Sequence, residues 1–554
     1  MFDLTARRLL LCLLAGSSLV GCGRLRFEDH SVAAHADAGM GSPDAGSTPG
    51  MDGGTTHGDA SAEDAGSHLL DAGFDGGELL GDAQMGGPDA MACPAGTSGP
   101  SCQTCVRYVN AASTAGTPDG LSWDTAFTDI LMAASSAVNA VEAAGGPALC
   151  QVWVAKGRYH TFYTNNIDGI PLHPLLELYG GFAGTETSTD QRDRSANETV
   201  IDASNAAGTG RSYYPIYSSN GGFMDGFTIT ASAGPYGGGI EVEGGTLTLR
   251  YMVFDNLDSA TGLAEVGGAL KLVNASANLE VCLFRFNHAR RGGAISVQNG
   301  SVTMSVGSFV GNSSTEAGGA IYANNASVTL QGVALDSQSA DGSGGAIAME
   351  STSVPNLVLD GVLINAASSG GSGGCIHSTG GVNLDFQNVV ASDCQAGGEG
   401  GAFFFDTARG SLRAVTTAGG VAGSTASGMV LRCAAACSVV NSIFWDASAL
   451  AEVSRSGPST VSYSLVRGGT TGTGIVTGDP LFVSSPNDVT LRAGSPAIDA
   501  ANGCLGPEFD LEGNPRYDTT ATANTGVGPV FSDMGAYEYS VSGTPYANFG
   551  ALCP

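Results

Sequence analysis

The stretch Arg291–Asn312, RGGAISVQNGSVTMSVGSFVGN, decides the fold. Two glycines open it. Ile295 and Val297 then alternate with Ser296 and Gln298, and Val302 and Met304 alternate with Thr303 and Ser305. Phe309 closes the phrase, with Asn312 three residues on. Six residues later the glycines return as Gly318-Gly319-Ala320-Ile321. The phrase starts at Gly237, Gly267, Gly292, Gly318, Gly344, Gly373 and Gly400, and a degraded copy starts at Ser427. The steps are 30, 25, 26, 26, 29, 27 and 27 residues. A steady period of this size marks a stacked repeat whose units bury their apolar faces against one another.

Each unit reads as strands. After the glycines one alternate set is apolar: Ile240/Val242, Leu270/Leu272, Ile295/Val297, Ile347/Met349 and Phe403/Phe405. The other set holds Glu241, Lys271, Ser296, Tyr322, Ala348, His377 and Phe404. Charge falls only in the second set, so the first faces inward. A second alternating run follows, as in Leu247-Thr248-Leu249 and Val328-Thr329-Leu330. A third signal is Phe284 with Asn287 and Phe309 with Asn312, preceded by Asn256 and continued by weaker forms ending at Asp336, Asn365, Ser392 and Asp446. Asparagines stacked at equivalent turns can hydrogen-bond one above another. Strand, turn, strand, turn, short strand and loop in ~26 residues predict one coil of a right-handed parallel β-helix, with coils ~4.8 Å apart. Gly-Gly supplies positive φ and close approach to the next coil. Twelve or thirteen coils are expected from about Trp153, a rod on the order of 60 Å long.

The expected organisation is an export signal at 1–21, an acidic tether at 22–92 and a cysteine loop at 93–107. A cap with a helix follows at 108–150, then the β-helix at 151–500 and a C-terminal cap at 501–554. Ser122 or Asp124 is placed to cap a helix running to about Ala144, with Phe127, Ile130, Leu131, Ala134 and Val138 on one face.

Arg7 and Arg8 precede a short apolar run, Leu9 to Val20, that is too short to span a bilayer. Leu19-Val20-Gly21-Cys22 resembles the bacterial lipobox. That resemblance implies lipidation of Cys22, and Gly23 in place of aspartate implies the outer membrane as destination. Acyl chains contribute about 0.8 kcal/mol of membrane affinity per buried CH₂. From Phe27 to Val106 there are thirteen acids and no Lys or Arg, so the tether cannot bury enough surface to fold and repels itself into an extended form. The net charge of −30 excludes a nucleic-acid partner, because phosphates need a basic surface.

Of 13 cysteines, Cys12 leaves with the signal and Cys22 carries lipid, so eleven remain in an exported, oxidising setting. Cys93 to Cys102 resembles the last loop of an EGF-like module. Cys93–Cys102 and Cys105–Cys150 are candidate disulfides, although connectivity does not follow from sequence. An odd count leaves at least one thiol free, with Cys282 inside an apolar strand the candidate.

The GGA[ILV] phrase with FxxN resembles the repeat of polymorphic outer-membrane proteins, a β-helix passenger family of bacterial surfaces. The flanks resemble a wider group of exported bacterial β-helix proteins: Tyr108-Val109-Asn110-Ala111 and Tyr179-Gly180-Gly181-Phe182-Ala183-Gly184-Thr185-Glu186 at the start, Gly494-Ser495-Pro496-Ala497-Ile498-Asp499 near the last coils, and Asp510 to Arg516 with Met534 to Glu538 in a choice-of-anchor-type C-terminal cap. The resemblance covers roughly residues 108–540 and implies fold and export. It says little about activity.

Many β-helices cleave acidic polysaccharides, using clustered aspartates or acids that hold Ca²⁺. This chain shows no Asp-Asp pair in its repeats. Glu350 and Asp406 share one position two coils apart, about 10 Å by coil spacing, near the separation of an inverting pair. Asp510-x-Glu512-x-Asn514 has calcium-loop spacing without the rest of the loop and reads as a cap turn. No catalytic residue, metal or cofactor is expected. The candidate ligand face is Tyr322, His377, Phe404, Glu241 and Lys271, beside a column of small residues from Gly239 to Ala402. A flat stripe of that kind suits an extended glycan or a cell-surface protein. The reading is therefore a lipid-anchored outer-membrane protein presenting a β-helix for adhesion, recognition or envelope structure, with a polysaccharide lyase or hydrolase as the alternative.

Overall fold

The computed structural model describes residues 105–143, 149–162, 169–231, 238–258, 266–446, 451–519 and 522–539. The export run, Cys22, the acidic tether and the Cys93–Cys102 loop lie outside the described residues.

The glycine-led strands stack in parallel, like over like. Ile240 pairs with Leu270, Leu270 with Ile295, Ile295 with Ile321, Ile321 with Ile347, Ile347 with Ile376, Ile376 with Phe403 and Phe403 with Met429. This is an all-β parallel β-solenoid of about 11 turns with one short helix near its start. It has fewer turns than length divided by period predicts. Late in the chain, residues leave the stack and fold along its side.

Three sheet faces run along the solenoid, and a fourth, six-stranded ladder rides outside them. The second and third faces are often one continuous strand bent in the middle, as in Ser276–Arg285 and Ser301–Val310. The bend falls at Val281 (φ 52°) and Val306 (φ 55°), a left-handed conformation that β-branched residues rarely adopt. Parallel pairing above and below holds it there. The fourth ladder joins His288–Arg291, Ser313–Ala317, Ser339–Ala340, Ser368–Ser369, Gln395–Glu399 and Val421–Ser424.

The glycine pair is explained by two contacts. Gly292 has φ 62°, and a Cβ on it would sit 2.1 Å from the Ile295 carbonyl oxygen. A Cβ on Gly293 would meet the carbonyls of Gly319 at 2.2 Å and Ser313 at 2.3 Å. No side chain fits between coils at this corner.

The interior is mostly apolar, with isolated serines such as Ser218 and Ser378 and one polar thread. Phe254 and Phe284 stack at 4.7 Å, and Phe284 and Phe309 at 4.9 Å. Beside them Asn287 Nδ2 donates to Asn312 Oδ1 at 2.9 Å, and Asn312 Nδ2 donates to Gln338 Oε1 at 3.1 Å. The same amides donate to the carbonyls of Phe254, Phe284 and Phe309. The amide ladder is therefore real, but its third rung is Gln338 and not Asp336. Asp336 pairs with Val310 and Asn365 on the strand before the turn. Asn256 is displaced similarly: Leu257 takes the rung, its amide donating to Asn287 Oδ1. The next rungs pass to Ala367 and then to Cys394, which is bonded to Cys375.

At the start, Cys105 and Cys150 are register partners joined by a 1.99 Å disulfide. The helix spans Ile130–Ala143 and buries Ile130, Ala133, Ala134, Ala137 and Val141 against the first coils. Asp129 caps it, accepting from the Met132 amide at 3.0 Å. Ser122 instead closes the turn before it, bonding the Thr125 amide. Glu186 fixes the Ala183-Gly184-Thr185 loop by accepting from all three amides. Cys282 is free and buried, its thiol pushed up to about 12 by burial.

The parallel ladder runs from Cys105 to Val466, with single bridges on to Val476. Beyond it come the described residues 479–519 and 522–539. They form a strap along the flank of the third face, beginning with the antiparallel pair Phe482–Ser484 and Asp488–Leu491. Leu363, Val390, Ile443 and Leu465 are its apolar seat, packed against Val489, Leu491, Ala497, Ile498 and Met534.

Candidate functional site

The outward column of the first face is where the sequence placed its ligand stripe. Register puts Glu241 beside Lys271, Lys271 beside Ser296, Ser296 beside Tyr322, Tyr322 beside Ala348, Ala348 beside His377 and His377 beside Phe404. These residues form one line, but much of it is covered. Tyr322 is 3% exposed and Phe404 6%. Alternation says which side of a strand a residue leaves; it does not say what the neighbouring ladder lays over that side.

Charged side chains beside the glycine corners make the cover. Arg291 lies over the Tyr322 ring at 5.2 Å, donates to its hydroxyl at 3.2 Å, and bonds Glu316 at 2.5 Å. The Tyr322 hydroxyl donates to Glu350 Oε2 at 2.7 Å. Burial and the Glu350 carboxylate raise the Tyr322 hydroxyl above its ordinary value. Three coils beyond Tyr322, Arg432 lies over Phe404 at 4.9 Å, bonds Glu399 at 2.8 Å and reaches Asp406 at 4.0 Å. His377 stacks on Phe404 with centroids 5.1 Å apart and planes 14° apart. Burial lowers its pKa to about 4, despite Glu350 and Asp406 on either side. It is neutral at neutral pH. Lys271 and Glu241 form a separate pair at 2.5 Å, nearer the start.

The structure thus brings Tyr322, Glu350, His377, Phe404 and Asp406 together and leaves Glu241 and Lys271 apart. Sequence reading missed Arg291, Glu316, Glu399 and Arg432. A signal existed for two of them: Arg291 and Glu399 each stand directly before a glycine pair. Glu350 accepts from Tyr322, and Asp406 faces Arg432.

Among the described residues no group of three His, Cys, Asp or Glu converges to hold a metal ion. The Asp510 turn is closed by Asn514, whose amide groups donate to Asp510 and Glu512.

No family model matches the chain, and no curated protein matches it. Among solved structures, the crystal structure of pectate lyase Pel9A is similar with a TM-score of 0.36 and 13% identity, over 79% of this chain and 97% of that one.

Proposed function

We propose that the chain is an outer-membrane lipoprotein, held by lipid on Cys22, that presents its β-solenoid as a non-catalytic recognition surface. One observation carries the non-catalytic part. The titratable side chains on the first face are committed to one another: Tyr322 to Glu350, Arg291 to Glu316, Arg432 to Glu399 and Lys271 to Glu241. A general acid or base must be within reach of a substrate proton. Here the acids meet guanidinium, ammonium and phenol groups of the chain itself, and the one imidazole lies against Phe404.

Recognition then falls to the outer side of the second face. Thr248, Asn278, Thr303 and Thr329 stand there in register, one per coil. Hydroxyl and amide groups repeating at ~4.8 Å match the hydroxyl-rich edge of an extended glycan better than an apolar partner. A cell-surface protein is the second class of partner. The test uses the full chain in detergent micelles on a glycan array, followed by product analysis of every glycan bound. Binding without unsaturated or new reducing-end products is expected. Chain cleavage that stops in Glu350→Gln or Asp406→Asn would establish the lyase or hydrolase instead. The anchor is tested separately: labelled palmitate should enter the wild type and not Cys22→Ser.

A further inference from the structure

The strap, residues 479–539, is seated by polar links as well as its apolar strip. Asn388 in the coils donates to the Phe509 carbonyl at 2.8 Å and accepts from Arg516 Nη2 at 3.2 Å. Asn441 exchanges two 2.8 Å bonds with Asn502, and its carbonyl accepts from the Gly535 amide at 2.8 Å. Thr416 Oγ1 accepts from the Ala536 amide at 3.0 Å.

Behind these links lies a buried set of carboxyls. Asp499, Asp510, Asp533 and Glu538 are all 5% exposed or less. Arg516, the buried cation among them, bonds Glu538 at 2.8 Å and acts on Asp510 and Asp533. Asp533 accepts from the Asp499 and Tyr539 amides, and Asp510 from the Glu538 and Asn514 amides. Asp499 Oδ1 accepts from the Thr519 amide, while Asp499 Oδ2 and Thr519 Oγ1 are buried without a hydrogen-bond partner. Other acids add to the negative field: Asp518 acts on Asp499, and Glu512 and Asp488 act on Tyr537. The coils contribute neutral groups to the links, Asn388, Thr416 and Asn441. One guanidinium against four carboxyls is unbalanced unless protons are held.

We propose that the strap is a proton-dependent latch: it closes on the solenoid flank while its carboxyls hold protons, and loss of those protons loosens it from Leu363, Val390, Ile443 and Leu465. Burial pushes Asp499 up to about 6 and Glu538 up to about 7. Asp510 is raised by burial, and Asp533 by burial and the neighbouring Glu538 charge. An acid raised in the folded state binds more protons there than when released. Its stabilising effect is full below the ordinary carboxyl range and is lost as pH climbs through 6 and 7. The strap is therefore tightest in mild acid and loosest above neutrality. The coils between residues 266 and 440 lack this response, because no charged side chain is buried there; the later coil that buries Asp446 and Glu452, with Asp446 raised by burial, is grouped with neither the strap nor these coils.

The test is hydrogen exchange on the full chain at pH 5.5, 7.0 and 8.5, expressed as protection factors so that the intrinsic pH dependence of exchange cancels. The amides of Ala501, Gly503 and Gly535 report the strap, and those of Ile295, Ile321 and Ile347 the coils. Strap protection should fall on the order of tenfold per pH unit for each proton held only in the docked state, while protection at Ile295, Ile321 and Ile347 holds. Asp499→Asn together with Glu538→Gln should flatten the response. If that variant does not fold, the wild-type profile decides alone. Strap protection independent of pH, strap and coils loosening together, or an undiminished response in the folded double variant each overturns the latch.

Discussion

In the coil of Phe309 the buried set is Val302, Met304, Phe309 and the amide of Asn312. In the strap it is Asp499, Asp510, Arg516, Asp533 and Glu538, with Met534, Ala536 and Ile498 between them. Both regions are exposed to the same solvent and touch along one flank, yet they bury opposite chemistry. The coil can do so because parallel pairing above and below satisfies its backbone, leaving side chains free to be apolar. The strap has almost no ladder. Some of its backbone amides bond carbonyls across turns and others bond carboxylates, as at Tyr539 on Asp533 and Glu538 on Asp510; the loop Ala183–Thr185 does the same on Glu186 near the start of the solenoid. Side-chain acids do in the irregular regions what the neighbouring coil does in the solenoid. One consequence is that the stability of the coils between residues 266 and 440, which bury no charge, should be indifferent to pH while strap docking is not.

The sharpest way to break this comparison is Phe309→Ala. Phe309 is fully buried, stacks on Phe284, and stands beside the Asn312 rung. Removing the ring should cost about 3–5 kcal/mol, the usual range for a buried aromatic that leaves a cavity. Each coil is the template for the next, so the loss is expected across the solenoid and, because the strap rests on it, in the strap as well. Thermal unfolding followed by far-ultraviolet circular dichroism should show a lower midpoint. A coil midpoint unchanged by the substitution would mean that the coils are not one cooperative stack.

The same division governs what could be read from the residues. The stack of Ile295 on Ile321 was legible because a strand's period is two and glycines punctuate it. The amide ladder was legible at Asn287 and Asn312 but slipped by two residues at Gln338. The corners Ser337 (φ 57°) and Asn256 (φ 52°) put the rung on the residue after them, Gln338 and Leu257. The seat of the strap was written as Leu363, Val390, Ile443 and Leu465, apolar residues on the outward side where Ser308 stands earlier in the column. That break in pattern was the available clue. Arg291 was marked by its place before a glycine pair, but its contact with Tyr322 was not, since the two are 31 residues apart and Arg291 is held there by Glu316 on the fourth ladder. The candidate site was legible as a column, and its closure was not.

The smaller test sharpens the comparison from the other side. Asn388 belongs to a coil but serves the strap, through the Phe509 carbonyl and Arg516. Its φ of 50° is a left-handed conformation, and Ala414 occupies the matching position in the next coil at φ 55°, so this corner accommodates alanine. Asn388→Ala removes one neutral hydrogen bond and one from a guanidinium, and leaves the Phe509 carbonyl and one Arg516 donor to find water. Groups of this kind are worth about 1–3 kcal/mol when stranded. The loss should appear in strap docking alone: faster exchange at Gly535 and easier proteolytic cutting within residues 479–539, with the coil unfolding midpoint unmoved. A matching fall in the coil midpoint would show that the strap helps hold the solenoid together, and the two regions would then have to be treated as one folding unit.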